Sequence, residues 1–304
     1  MGNKYTKLNK WNFKESITYL SKLKDGRLSF CSSDGFLNIY KNNSFELQIS
    51  IKVHSNWINS FTQLFNEKII TCSGDKTIKI IKLINENKYQ IEQTLIGHTG
   101  DVLKAIEIKK NELLSISRDR LIKIWIINDK NYYINILNII FQYSYFSICN
   151  ILKLNDKEFV TSSTHDECIR FWNYNNYSYI ISINNILSYS YCFQNMCLLE
   201  NDLLCVGGMI SKGFYLIKIS THQLIKNIVG PYCIFSIIKC LDDLFLCSFI
   251  NEYGKFFIGK YKYEKETFKI IFEKEKGNTH FSCAELDNGK IVYIKNNLIQ
   301  LLEE

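Results

Sequence analysis

The sequence predicts an all-β chain, a ring of small four-stranded antiparallel sheets, on three observations. The first is a recurring phrase: Thr71-Cys-Ser-Gly-Asp-Lys-Thr-Ile-Lys-Ile-Ile81, Ser115-Ile-Ser-Arg-Asp-Arg-Leu-Ile-Lys-Ile-Trp125 and Ser162-Ser-Thr-His-Asp-Glu-Cys-Ile-Arg-Phe-Trp172, preceded by a weaker copy, Phe30-Cys-Ser-Ser-Asp-Gly-Phe-Leu-Asn-Ile-Tyr40. Each copy is a short β-type segment, an aspartate at a turn, and a second alternating segment closed by Trp, Tyr or Ile, which is the pattern of an antiparallel hairpin. The second observation is the period. Copies recurring about every 40 to 45 residues with an aspartate turn mark the blades of a β-propeller, each a sheet that cannot bury both faces alone. The third is composition: 304 residues, 46% hydrophobic and 14% aromatic, with one proline, Pro231, give ample core material and little that favours helices or linkers.

The elements follow in order from one template, in which the apolar start of a first strand is aligned with the hydrophobic opening of the second. It gives Ile17 with Leu28, Ile58 with Ile69, Val102 with Leu113, and Ile148 with Phe159. It continues with Cys192 and Leu203, Ile234 and Phe245, and a position near His280 or Phe281 with Ile291. Seven blades result. Turn signals separate the partners, among them Lys24-Asp-Gly26, Asn66-Glu67, Asn155-Asp156, Asp242-Asp243 and Asp287-Asn-Gly289. The last three blades lack the aspartate and tryptophan phrase, but Gly207-Gly208, Gly213, Gly254 and Asn296-Asn297 stand where their second turns belong. The seventh blade ends one strand short, and residues 8–13 are expected to supply that strand and close the ring. The expected organisation is a single propeller over residues 1–304, with residues 1–7 as a tether.

The chain resembles the WD-repeat β-propeller family, and the third copy carries the likeness best, with Gly97-His98 before the first strand, then Ser115, Asp119 and Trp125. The resemblance implies that His98, Ser115, Asp119 and Trp125 form a buried hydrogen-bonded tetrad. The chemistry is consistent: the aspartate accepts from the imidazole, the imidazole from the serine, and the serine from the indole. Ser, His and Asp together also suggest a catalytic triad, but a triad is defined by geometry, and a motif repeated in degenerate copies is structural. The second copy keeps His54, Thr71 and Asp75 with Ile81 in place of Trp. The fourth keeps Ser162, Asp166 and Trp172 without an obvious His.

Other chemistries find little support. The eleven cysteines show no Cys-x-x-Cys spacing, and most sit inside strand patterns as small buried hydrophobes. No metal site and no cofactor is expected, since the cluster Thr164 to Cys168 lies on a hairpin turn and no phosphate-binding glycine loop is present. No apolar run is long enough to span a membrane and no secretory leader is recognisable, so a cytoplasmic location is expected. The net charge is +7, but lysines alternate with glutamates in the densest region, Lys255 to Lys276, and no basic stripe recommends nucleic acid. Met1-Gly-Asn-Lys-Tyr-Thr6 fits the N-myristoylation pattern at Gly2, with Lys4, Lys7, Lys10 and Lys14 as an accompanying basic signal for a membrane surface.

The expected function is therefore a non-catalytic protein-interaction scaffold, with a membrane-associated (N-myristoylated) or lipid- or nucleic-acid-binding propeller subunit as the alternative. In the family resembled, partners commonly bind the narrow-face rim, built by residues flanking the start of each first strand and by the residue before each turn aspartate. Here that implies Trp57, Asn59, Asp101, Arg118, Tyr145, His165, Tyr191 and Tyr232 as partner-binding residues.

Overall fold

The computed structural model describes residues 15–41, 46–140, 148–163, 168–184, 196–200, 202–207, 213–229, 233–240, 244–251, 253, 255–264, 267–275, 279–287, 289–295 and 298–302. Its strands form consecutive antiparallel meanders. Sheet 1 contains β1 (Ile17–Lys22), β2 (Leu28–Ser32), β3 (Phe36–Tyr40) and β4 (Leu47–Lys52). Sheet 2 contains β5 (Ile58–Gln63), β6 (Ile69–Ser73), β7 (Ile78–Asn85) and β8 (Lys88–Leu95). In sheet 3 are β9 (Val102–Lys109), β10 (Glu112–Ser117), β11 (Leu121–Ile127) and β12 (Tyr133–Ile140). Sheet 4 follows with β13 (Ile148–Lys153), β14 (Glu158–Ser163), β15 (Ile169–Asn173) and β16 (Tyr179–Ile183). Sheet 5 has β17 (Met196–Leu199), β18 (Leu203–Gly207), β19 (Gly213–Lys218) and β20 (Gln223–Val229). Sheet 6 has β21 (Cys233–Lys239), β22 (Leu244–Ile250), β23 (Phe256–Glu264) and β24 (Thr267–Glu275). The last is three-stranded among the described residues: β25 (Thr279–Glu285), β26 (Ile291–Lys295) and β27 (Leu298–Leu302). The expected closing segment, residues 8–13, lies outside the described residues, as does Cys192.

A sheet buried on both faces needs apolar side chains on both, and the second strands have them: β2, β6, β10 and β18 are buried at every position. The faces meet in seams, each filled by its own cluster. Ile39 and Ile51 pack on Phe61 and Ile81 between sheets 1 and 2. Ile70 and Ile80 meet Leu113 and Trp125 between sheets 2 and 3, and Leu114 and Ile124 meet Phe159 and Trp172 in the next seam. The series continues through Phe171 with Ile217, Phe214 with Phe245, and Leu246 with Tyr293. A further cluster joins Leu20, Phe30 and Tyr40 of sheet 1 to Val292 and Ile294 of sheet 7.

Hydrogen bonds stitch the innermost strands as well. Asn59 Nδ2, Ser60 Oγ and Thr62 Oγ1 of β5 donate to the carbonyls of Val102, Leu103 and Ala105 on β9 at 2.8, 2.7 and 2.9 Å. Lys104 Nζ reaches Asn150 Oδ1 on β13 at 2.8 Å.

The outermost strands share another regularity. In each four-stranded sheet the register slips by one residue opposite Tyr40, Ile81, Trp125, Trp172, Ile217 or Tyr261. The residue extruded is Gln48, Glu92, Ile136, Ile180, Ile225 or Ile271 in turn. A bulge twists an edge and makes it a poor template for further pairing, which is how open sheets avoid edge-to-edge association.

Candidate protein-interaction rim

The turn between β10 and β11 is shaped by Asp119. Its Oδ1 accepts the Leu121 amide at 3.0 Å, its Oδ2 accepts the Thr99 amide at 2.9 Å, and its own amide donates to Ser117 Oγ at 3.1 Å. The residue after the aspartate adopts a left-handed conformation, with φ of 69° at Arg120, 71° at Lys76 and 85° at Gly35. Side-chain bonds to the turn amides offset the strain of that geometry at Lys76 and Arg120.

Beneath the turn runs a relay. His98 Nδ1–H donates to Asp119 Oδ2 at 2.7 Å, Ser115 Oγ donates to His98 Nε2 at 2.8 Å, and Trp125 Nε1–H donates to Ser115 Oγ at 2.8 Å. Sheet 2 repeats the upper part, with His54 Nδ1 2.8 Å from Asp75 Oδ2 and His54 Nε2 2.9 Å from Thr71 Oγ1, while Ile81 holds the tryptophan position. In sheet 4 the relay is displaced by a residue. Trp172 Nε1–H donates to Thr161 Oγ1 at 2.9 Å rather than to Ser162, the residue that the turn aspartate points to by counting. The hydroxyl and indole residues are eleven positions apart there and ten apart in sheet 3, because the connection in sheet 4 is longer. Asp166 lies outside the described residues.

Burial decides the protonation of this relay. It pushes His98 and His54 below the ordinary imidazole value of 6.5, overriding the pull of Asp119 and Asp75, so both rings are neutral with the proton on Nδ1. Burial opposes ionisation of Asp119 too, but its N–H donors hold it at about 2, and Asp75 is likewise held well below the usual carboxylate range. Ser115 is fully buried, and its oxygen already accepts the indole proton. The serine therefore offers no nucleophile to solvent. A pH dependence follows. In the unfolded chain both histidines gain a proton as pH falls through 6.5, and in the folded chain they resist it, so stability present above that value is lost below it. Depressed Asp75 and Asp119 extend the loss further into acid. Urea unfolding over a pH series is expected to show stability falling from neutral pH towards pH 5, on the order of the imidazole titration range, with a shallower fall in His98→Gln.

Above the relay, one hydrogen bond recurs between the residue before the first strand and the residue before the turn aspartate. Ser33 N donates to Ser16 O at 2.8 Å, Gly74 N to Trp57 O at 3.0 Å, and Arg118 N to Asp101 O at 2.9 Å. The pairs Ser16/Ser33, Trp57/Gly74 and Asp101/Arg118 thus occupy equivalent places on three successive sheets and share one rim. Trp57 is 39% exposed, and its backbone is held further by Ser73 Oγ on its carbonyl at 2.8 Å and Asn56 Oδ1 on its amide at 2.8 Å. Gly74 is the floor under the ring: a Cβ there would stand 2.5 Å from the indole Nε1. The Arg118 side chain is 51% exposed, with one guanidinium nitrogen 3.3 Å from Asp101 Oδ2.

Asn59 differs from the rim reading, for its amide is turned to Val102 of the next sheet, as its position inside β5 requires. Tyr145, His165, Tyr191 and Tyr232 lie outside the described residues, as does Gly2. The Ser16/Ser33 pair was missed because neither residue is large or charged, and only the repeated backbone bond reveals it.

Residues 45–82, which span β4 to β7 and include His54, Thr71 and Asp75, match the family model for the WD domain, G-beta repeat. The chain also superposes on a chain of a structure titled "Crystal Structure of Mitotic Checkpoint Complex", with a TM-score of 0.79 over 95% of this chain and 89% of that one, at 12% identity. The chain has a β-propeller fold, and one of its repeats matches the WD-repeat model. No curated protein matches it in sequence. Elsewhere on the propeller, a cleft of about 500 Å³ between sheets 1 and 2 is lined by Lys24, Arg27, Gln48 and Phe65. Its cations are already engaged, Arg27 by Asp25 at 2.7 Å and Lys24 by the Leu64 carbonyl at 2.8 Å. Among the described residues no three His, Cys, Asp or Glu side chains converge as a metal site, and no helix is long and apolar enough to cross a membrane.

Proposed function

We propose that the propeller is a non-catalytic scaffold that grips a peptide or protein loop on the rim carrying Trp57 and Arg118. WD-repeat propellers generally mediate protein–protein interaction. The observation that carries the reading is Trp57, a large exposed indole whose backbone and ring floor are both fixed. A side chain already ordered loses little entropy on binding, and tryptophan is among the residues that most often dominate an interface. Arg118 sits one sheet on, at the place equivalent to Gly74, with guanidinium donors beyond the one shared with Asp101, and suits a carboxylate or phosphate on the partner.

The test is affinity capture from the native cell with quantitative mass spectrometry, using wild type, Trp57→Ala with Arg118→Glu, and Gly74→Ala. A stoichiometric protein partner is expected with wild type and is lost in the double variant. In Gly74→Ala the new methyl displaces the indole without changing charge, and at least about tenfold weaker capture is expected. Identical partners in all three samples, or none with wild type, would overturn the proposal.

A further inference from the structure

The residue after the turn aspartate needs a left-handed backbone, and the first three sheets fill that place differently. Sheet 1 uses Gly35, which adopts it freely. Sheets 2 and 3 hold Lys76 and Arg120 there, at φ of 71° and 69°. The aspartate offsets this strain through the backbone alone, by accepting the Thr77 or Leu121 amide, and uses neither cation. Both side chains are exposed, and neither has a hydrogen-bond or ion-pair partner among the described residues. A cation kept where glycine folds more easily, and bonded to nothing else in the chain, has no role in the fold itself.

Both cations border the rim. Lys76 follows closely on Gly74, whose amide donates to the Trp57 carbonyl, and Arg120 follows in the same way on Arg118, whose amide donates to the Asp101 carbonyl. The two sheets join at their strand openings, where Asn59 Nδ2 donates to the Val102 carbonyl at 2.8 Å. One rim therefore carries the exposed indole of Trp57 together with Lys76, Arg118 and Arg120, all exposed. The carboxylates of the same turns face inward. Asp75 and Asp119 accept from His54 and His98 and from turn amides, with side chains 12% and 4% exposed, and Asp101 is paired with Arg118.

A ligand on this rim meets cationic donors first, but no broad positive field, because Asp75, Asp101 and Asp119 lie beside the cations. A nucleic-acid strand or an anionic bilayer is drawn by positive charge summed over many groups, which a rim with as many carboxylates as cations does not supply. A short acidic segment needs less, since guanidinium and ammonium donors grip its groups one at a time through charge-assisted hydrogen bonds. We propose that the rim of sheets 2 and 3 selects an anionic peptide segment, an inference that rests on the peptide-gripping reading above. An apolar side chain of the segment lies on Trp57, and its carboxylate or phosphate oxygens accept from Lys76, Arg118 and Arg120.

Binding of the full chain to a synthetic positional-scanning peptide library, with phosphoserine among its residues, tests this. Selected peptides are expected to place Asp, Glu or phosphoserine close to an aromatic or aliphatic residue; preference for phosphoserine assigns a phosphorylated segment, and preference for Asp or Glu a carboxylate one. Lys76→Gly with Arg120→Gly removes both cations and supplies the residue that the turn favours, so it should melt no lower than wild type. Its affinity for the selected peptides, read by fluorescence anisotropy, should nevertheless fall at least about tenfold. Selected peptides that depend on Trp57 but are neutral or basic, or that bind the double glycine variant as well as wild type, would overturn the anionic assignment and leave the peptide-gripping rim standing. Peptides that Trp57→Ala with Arg118→Glu binds unchanged, no selection at all, or tighter binding to poly(U) than to any peptide would overturn both.

Discussion

Asp119→Ala is expected to destabilise the propeller by about 2 to 5 kcal/mol, because the buried His98 donor left without its acceptor costs about 1 to 3 kcal/mol and two less buried turn amides lose theirs as well. The His98 imidazole and the amides of Thr99 and Leu121 all donate to it, and its side chain is nearly buried. The loss propagates, because His98 without Asp119 no longer holds the tautomer that accepts from Ser115. Asp119→Asn is expected to lose less, since one side-chain oxygen remains for the turn amides. Denaturant unfolding of the two variants decides: equal midpoints for Asp119→Ala and wild type would mean that the carboxylate stabilises neither the turn nor the relay.

Glu285→Ala is expected to cost a similar amount, about 3 to 5 kcal/mol, the usual result of stripping a buried ion of its partner. Lys260 on β23 and Glu285 on β25 stand 2.7 Å apart, with side chains 8% and 7% exposed, across the seam between sheets 6 and 7. Nearby, burial and then Glu285 push the Cys240 thiol well above its ordinary value, so the cysteine cannot replace the lost anion at neutral pH without a large penalty. The double variant Lys260→Met with Glu285→Leu removes both charges and should recover most of the loss. Wild-type stability in the single variant would mean that the Lys260 ammonium reaches water in solution.

Much of this architecture was legible in the chain because its determinants are local. The strand openings at Ile17, Leu28, Ile58, Ile69, Val102 and Ile148 begin or adjoin strands as the repeat template has them. The relay in sheet 3 could be read from His98, Ser115, Asp119 and Trp125 because a hydrogen-bonded turn fixes their spacing. Thr161 was harder to find, since its hairpin is one residue longer and counting back from Asp166 stops at Ser162. What joins one sheet to another left no local trace. The Gln93 side chain clamps both backbone groups of Tyr133 at 2.6 and 2.8 Å, and Lys260 meets Glu285, but each pair is far apart in sequence and unmarked by any motif. Asn59 shows the converse: it flanks the opening of β5, as the rim pattern of the resembled family has it, while its side-chain amide donates to Val102 of the next sheet.

Two tryptophans have opposite roles, Trp125 inside the relay and Trp57 on the rim. Parallel thermal unfolding of Trp125→Phe and Trp57→Phe measures this directly. Trp125→Phe removes the indole donor to buried Ser115 and should lower stability by about 1 to 3 kcal/mol, while Trp57→Phe should stay within about 0.5 kcal/mol of wild type. The reverse order, with Trp57→Phe the more damaging, would contradict both the relay and the rim.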